Sequence, residues 1–296
     1  MIAAPTEKLT PLGGEDRAKN GRDLRDPHFF VVGDKLHIKA LTRLPVVSPR
    51  DSGVDTIAVG TETSDGERFS PLQTIAPTGY SLWRIKQGPD GRLYSAAYQD
   101  GDTSVTLFSS RDGVSWDKGA VIYAQAVDAP LETELEFLPS GKLLALVRMD
   151  GTDDELLGNQ GRLRTKVCFA APPYSTFDCG SELSGQRLDG PVSFAQGGRL
   201  FVIARRHLQP SYQKRTSLFE LTGMLDGGPL GIKLYGDFPS TGDTAYAGVA
   251  PLAGSRVLVS WYSGDLIDNL GWLSGMLGQS DIWLGEMDLS KLSKLP

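Results

Sequence analysis

Apolar residues in this chain come in short alternating runs that stop at a glycine-containing turn and then resume, which is the pattern of antiparallel strands joined by tight turns. The same unit appears five times, at Phe29-Phe-Val-Val-Gly-Asp-Lys-Leu36, Ile85-Lys-Gln-Gly-Pro-Asp-Gly-Arg-Leu93, Leu135-Glu-Phe-Leu-Pro-Ser-Gly-Lys-Leu143, Val192-Ser-Phe-Ala-Gln-Gly-Gly-Arg-Leu200 and Val249-Ala-Pro-Leu-Ala-Gly-Ser-Arg-Val257. Their anchor residues Leu36, Leu93, Leu143, Leu200 and Val257 stand 57, 50, 57 and 57 residues apart. Such a fixed period indicates stacked copies of one supersecondary unit. Each copy continues into a third strand, as in Thr56-Ile-Ala-Val-Gly60, Val105-Thr-Leu-Phe108, Lys166-Val-Cys-Phe-Ala170, Ser217-Leu-Phe-Glu-Leu221 and Asp281-Ile-Trp-Leu-Gly285.

These units predict an all-β fold, a five-bladed β-propeller of four-stranded antiparallel blades near residues 27–75, 81–124, 131–184, 190–236 and 244–288, forming a single domain over 1–296. The last copy ends after its third strand, so the N-terminal segment Glu7-Lys-Leu-Thr-Pro-Leu12 is expected to supply its outer strand and close the ring, removing an exposed edge. Two copies carry an Asp-Gly turn followed by an aromatic, Ser64-Asp-Gly-Glu-Arg-Phe69 and Ser110-Arg-Asp-Gly-Val-Ser-Trp116. In such turns the Asp and Ser side chains tie the backbone and glycine supplies positive φ.

Composition narrows the function. The net charge of -6 and pI near 5.2 disfavour nucleic-acid or anionic-membrane partners, which need a basic face. No apolar run is long enough to span a bilayer. Met1-Ile-Ala-Ala-Pro5 lacks the basic and apolar regions of a signal peptide, which leaves location open between the cytoplasm and export with a removed signal. Cys168 and Cys179 flank a turn-rich segment and either face each other across two strands or remain buried thiols. No P-loop, dinucleotide fingerprint or G-x-S-x-G elbow occurs, and no metal-ligand spacing, so neither cofactor nor metal is expected.

In a propeller the polar residues at blade starts and at second-strand ends converge on one site. Here the starts read Arg25-Asp26-Pro27-His28, Trp83-Arg84, Glu132-Thr-Glu134, Asp189-Gly-Pro191 and Asp243-Thr-Ala-Tyr246, and the second strands end at Arg43, Tyr98, Arg148, Arg205 and Tyr262. Glu134 and Glu136 read as solvated or lysine-paired, and Arg43 and Arg206 as surface ion pairs.

In their order along the chain these residues resemble the sialidase-like, Asp-box family of propellers. Arg25-Asp-Pro27 is similar to that family's Arg-x-Pro motif. Asp51, twenty-six residues later, falls where the family keeps its acid/base aspartate, and Glu132 and Arg148, sixteen apart, match its base glutamate and second arginine. Arg205 resembles the third arginine, and Gly242-Asp-Thr-Ala-Tyr-Ala-Gly248 the motif of the nucleophilic tyrosine. The resemblance implies an exo-acting glycosidase for a carboxylate-bearing sugar, with Tyr246 as nucleophile, Glu132 as its base, Asp51 as acid/base and Arg25, Arg148 and Arg205 as an anion clamp. His28, Trp83, Arg84, Asp243 and Tyr262 complete the candidate substrate contacts. Sialidases have six blades, whereas the repeat here gives five.

Two other readings use the same residues. Five-bladed hydrolases of arabinose- or fructose-type sugars pair a carboxylate of the first blade with a later glutamate, which makes Asp26 and Glu132 base and acid of an inverting reaction on a neutral sugar. A binding propeller without turnover uses Trp83, Tyr98 and Tyr262 as stacking platforms and the arginines as an anion cradle.

Overall fold

The computed structural model describes residues 23–43, 56–99, 103–151, 163–208, 213–223, 229–267, 269 and 271–294. They form five antiparallel sheets, the five blades of a β-propeller. The chain divides into two compact units, Met1–Ala129 and Pro130–Pro296.

The first unit holds two sheets. One runs in sequence order through β1 (Asp23–Val32), β2 (Lys35–Arg43), β3 (Ile57–Thr63) and β4 (Gln73–Thr74), and the other through β5 (Tyr80–Gln87), β6 (Leu93–Gln99), β7 (Ser104–Ser110) and β8 (Trp116–Ala124). Phe30, Leu41, Ala58, Leu82, Leu93, Phe108 and Trp116 pack together between them. Both Asp-Gly turns adopt one geometry. Asp112 Oδ1 accepts from the backbone N–H of Val114 (2.9 Å) and Ser115 (2.7 Å), Ser110 Oγ accepts from Gly113 N, and Trp116 Nε1 donates to Gly113 O. Those donors hold the Asp112 carboxyl at about 2. Asp65 and Thr63 repeat the arrangement, Thr63 taking the place of Ser110.

The second unit holds three sheets. The first comprises β9 (Pro130–Phe137), β10 (Leu143–Met149), β11 (Arg164–Ala170) and β12 (Asp178–Ser184), and the next β13 (Asp189–Gln196), β14 (Arg199–His207), β15 (Lys214–Thr222) and β16 (Gly231–Asp237). The last has three strands among the described residues, β17 (Ala245–Pro251), β18 (Arg256–Gly264) and β19 (Ser280–Asp288), with α1 (Trp272–Met276) between the latter two. The segment Glu7–Leu12, expected to complete that sheet, lies outside the described residues. Strand alternation puts opposite faces of β14 into separate cores: Leu200, Val202 and Ala204 pack with Leu144, Leu146 and Val167, whereas Phe201 and Ile203 pack with Val257, Val259 and Trp261. Cys168 and Cys179 are joined as a disulfide between β11 and β12. Glu134, read from sequence as solvated or lysine-paired, is instead buried, because the backbone N–H and hydroxyl of Ser193 satisfy its Oε1 at 2.8 and 2.9 Å.

One backbone device recurs in every sheet. Near its start each first strand places three residue steps against two on its partner: Arg25 pairs with Leu41 but His28 with Lys39, Leu82 with Ala97 but Ile85 with Ser95, Pro130 with Met149 but Thr133 with Val147. Asp189 and Val192 do the same opposite Arg205 and Ile203, as do Ala245 and Gly248 opposite Tyr262 and Ser260. These are β-bulges, which re-aim side chains. Their extra residues include Asp26, Trp83, Arg84, Glu132, Gly190 and Tyr246.

Candidate active site

In the second unit the bulges of β9 and β17 bring Glu132 and Tyr246 together. Tyr246 Oη donates to Glu132 Oε1 at 2.6 Å across 114 residues of sequence. Tyr246 holds φ of 48°, a left-handed conformation that is unfavourable for a bulky residue by about 1–3 kcal/mol and persists where surrounding structure over-determines it. Gly190, in the bulge of β13 at φ of 53°, supplies part of that surrounding: a Cβ there would lie 2.5 Å from Cδ1 and 2.6 Å from Cε1 of the tyrosine ring. Tyr262 stacks on Tyr246 with centroids 5.9 Å apart, and the Arg205 guanidinium lies 5.7 Å from the Tyr246 centroid.

Arginines and carboxylates alternate around this pair. Arg148 Nη1 donates to Glu132 Oε2 at 2.5 Å, while its Nε and Nη2 meet Asp150 Oδ1 and Oδ2 at 3.0 and 3.1 Å. Its Nε also lies 3.3 Å from Asp189 Oδ1. Asp189, 1% exposed, is the hub: it accepts from Arg187 Nε at 2.7 Å and from His207 Nε2 at 2.7 Å, with Arg205 Nε at 3.5 Å. Arg187 also pairs with Asp150. Arg205 Nη1 donates to Asp243 Oδ1 at 2.9 Å, and the same oxygen accepts from Trp272 Nε1 at 3.2 Å.

The electrostatics follow from burial and these pairs. Burial and the Glu132 carboxylate push the Tyr246 phenol well above its ordinary pKa, and Arg205 and Arg148 pull the other way. A phenol so placed stays protonated at neutral pH. Burial works against ionisation of Asp189, but Arg148, His207 and Arg187 outweigh it and hold the carboxyl well below its usual range. Lys214 Nζ lies 2.6 Å from His207 Nδ1. An ammonium has only donors, so Nδ1 accepts and the imidazole proton sits on Nε2, facing Asp189. Burial lowers the His207 pKa despite the attraction of Asp189.

The remaining candidates belong to the first unit, where His28, Trp83 and Arg84 form a second group. Arg84 Nη1 donates to His28 Nδ1 at 3.3 Å, and His28 meets Trp83 edge-on at 5.5 Å. Arg84 and Lys39 approach the Trp83 ring at 5.8 and 6.0 Å, a cation–aromatic arrangement. Burial, followed by these two cations, pushes the His28 pKa well below its ordinary value. Arg25 is exposed and Asp26, at φ of 53°, half-buried on the bulge of β1; Tyr98 is buried on β6. Asp51 lies outside the described residues.

Glu132, Arg148, Arg205, Asp243, Tyr246 and Tyr262 are therefore gathered in one cluster. Sequence reasoning missed Asp150, Arg187, Lys214 and Trp272 as parts of it, and gave no individual role to Asp189 or His207. The available signal was position: Asp189 opens a blade, as Glu132 does, and Asp150 follows Arg148 by two residues, on the same face.

No family model matches the chain, and no curated protein matches it. Solved structures do. A thermostable family-43 glycoside hydrolase aligns over 90% of this chain and 89% of its own with a TM-score of 0.60 and 11% identity. A protein of unknown function from Dyadobacter fermentans aligns over 90% and 94% with a TM-score of 0.51 and 14% identity. A mutant of NanB sialidase from Streptococcus pneumoniae aligns over 70% of this chain with a TM-score of 0.52 and 16% identity, and the match spans 32% of that protein. At these identities the likeness is one of fold.

Proposed function

We propose that the chain is a glycoside hydrolase of the sialidase-like kind, in which Tyr246 is the nucleophile and Glu132 its base. The carrying observation is the 2.6 Å hydrogen bond from Tyr246 Oη to Glu132 Oε1, set in a buried cluster with Arg148 and Arg205 beside it. Glu132 takes the phenol proton as Oη bonds the anomeric carbon and the exocyclic C–O bond breaks; the leaving oxygen takes a proton from an acid, a role the family resemblance assigns to Asp51. Water then attacks the same carbon and gives up a proton to the conjugate base of that acid, the C–Oη bond breaks, and Glu132 returns the phenol proton to the Tyr246 oxygen. Two displacements retain the anomeric configuration. Glycoside hydrolases among the structural neighbours support a carbohydrate substrate.

The acidic-sugar form of this reading has Arg25, Arg148 and Arg205 hold a substrate carboxylate. One observation favours a neutral sugar instead. The Arg148 guanidinium already faces Glu132, Asp150 and Asp189, and Arg205 faces Asp243 and Asp189, so an incoming carboxylate must compete with those of the protein. Under that second reading Asp26 and Glu132 act as base and acid and the product is inverted.

Aryl glycosides of sialic acid, glucuronic acid and arabinofuranose, followed by NMR of the first-formed anomer, test both. Tyr246→Phe and Glu132→Gln should each lower turnover by about 10²–10⁴-fold. A Tyr246→Phe variant at full activity, or an inverted product, sinks the tyrosine mechanism. Turnover confined to the arabinofuranoside excludes the carboxylate clamp.

A further inference from the structure

We propose that Trp272 is the stacking platform of a second sugar-binding position beside Tyr246, taking a pyranose or furanose ring of an oligosaccharide. The proposal rests on the glycosidase reading above and extends it from one sugar ring to two.

Trp272 opens α1, the only α-helix among the described residues, and connects to the reacting pair by three contacts. Its Nε1 donates to Asp243 Oδ1, Asp243 takes Arg205, and Arg205 lies over the Tyr246 ring. The indole is half-buried and lies outside the hydrophobic cores described above. Its N–H is satisfied and Lys214 Nζ stands 5.3 Å from its centroid, a cation–aromatic contact that fixes the ring. Leu273, Met276 and Leu277 beside it are 39, 46 and 92% exposed. An apolar rim next to convergent polar groups is the composition of a ligand site, and the C–H face of a sugar suits an aromatic face.

The platform is rigid. Gly275 is pressed so closely onto the start of the last sheet that a Cβ there would lie 2.4 Å from Asp243 N and 2.5 Å from Gly242 Cα. Asn269, just before α1, takes Arg215 Nη2 at 2.9 Å and Thr241 Oγ1 at 3.1 Å on its Oδ1. A ring already held this way needs no ordering when a ligand arrives, which favours affinity.

The test is calorimetric binding of arabinotriose and sialyllactose, compared with arabinose and N-acetylneuraminic acid, to the full chain. One of the oligosaccharides should bind more tightly than its monosaccharide. Trp272→Ala should weaken that oligosaccharide about tenfold or more and leave the monosaccharide within about twofold. Trp272→Phe, which keeps an aromatic face and loses the bond to Asp243, should stay within about threefold of the parent. Should the alanine variant not fold, Trp272→Leu keeps the apolar volume and is expected to show the same loss. Unchanged oligosaccharide binding in Trp272→Ala or Trp272→Leu, equal losses for long and short sugars, or no length preference in the parent overturns the proposal. Oligosaccharide binding that depends on Trp272 without any hydrolysis supports the platform while the glycosidase reading fails.

Discussion

The two units carry the same bulge and use it for different chemistry. In the first, the bulges of β1 and β5 present Asp26, Trp83 and Arg84, and Arg84 meets a neutral partner, the imidazole of His28. In the second, the bulges of β9 and β17 present Glu132 and Tyr246, and Arg148, Arg187 and Arg205 each meet a carboxylate. A repeated backbone irregularity thus fixes where side chains are delivered, and the residue type at each delivery point decides whether a unit gathers cations against a buried aromatic ring or a hydrogen-bonded tyrosine–carboxylate pair. The Asp-Gly turns show the same division. Both lie in the first unit, where they tie outer strands, and they take no part in either cluster.

The largest expected effect contrasts buried with exposed ion pairs. Arg148 of the second unit is buried among three carboxylates, so Arg148→Met leaves unpaired buried charge and should destabilise by about 3–5 kcal/mol in chemical denaturation. Arg92 of the first unit pairs with the exposed Asp117 at 3.1 Å, and Arg92→Met should change stability by less than about 1 kcal/mol. Equal losses would mean that burial does not separate the two ion pairs.

A smaller effect contrasts two glycines, both at positive φ. Gly33→Ala in the first unit meets nothing within 4 Å, so only the backbone term of about 1–2 kcal/mol applies. Gly190→Ala adds the clash with the Tyr246 ring, and should both destabilise further and lower turnover by about 10²-fold, as a 1 Å misplacement of a reacting group does. Turnover retained in Gly190→Ala would show that Tyr246 does not depend on this close approach.

The smallest effect is one of pH, and it involves both units. His28, His37 and His207 are the chain's three histidines, and burial is the leading cause that lowers the pKa of each. The unfolded chain takes up these protons near pH 6.5 while the folded chain resists them, so their stabilisation is complete above about 6.5 and is lost as pH falls below it. Tm should drop by a few degrees between pH 7 and 5, since 1 kcal/mol corresponds to roughly 2–4 °C in a chain of this size. His207→Gln and His28→Gln should each flatten part of that slope and show how it is shared between the units. A flat profile in the parent would mean that the imidazoles are protonated without penalty.

Much of the architecture is local and therefore written along the chain. A hairpin needs alternating apolar residues and a glycine turn within about ten positions, and the anchors Leu93, Leu143, Leu200 and Val257 are buried as their repeat requires. The predicted blade spans differ from the observed strands by a few residues. Glu132 and Tyr246 were also reachable, because each opens a blade and the propeller rule places blade starts near one another. What the chain alone did not decide is who pairs with whom. Asp189 meets His207, Arg148, Arg187 and Arg205 because two neighbouring sheets bring those side chains to one end, and Lys214 was invisible as the partner of His207 until β14 and β15 were set in register. Trp272 sits in a connection whose path depends on Gly275 resting on Gly242. Periodicity carries secondary structure because backbone hydrogen bonds and burial repeat every two residues; ion-pair partners separated by 37 or 38 residues, as Arg187–Asp150 and Arg205–Asp243 are, follow no such period. Their choice is made by packing, which alone determines which charges are removed from water together.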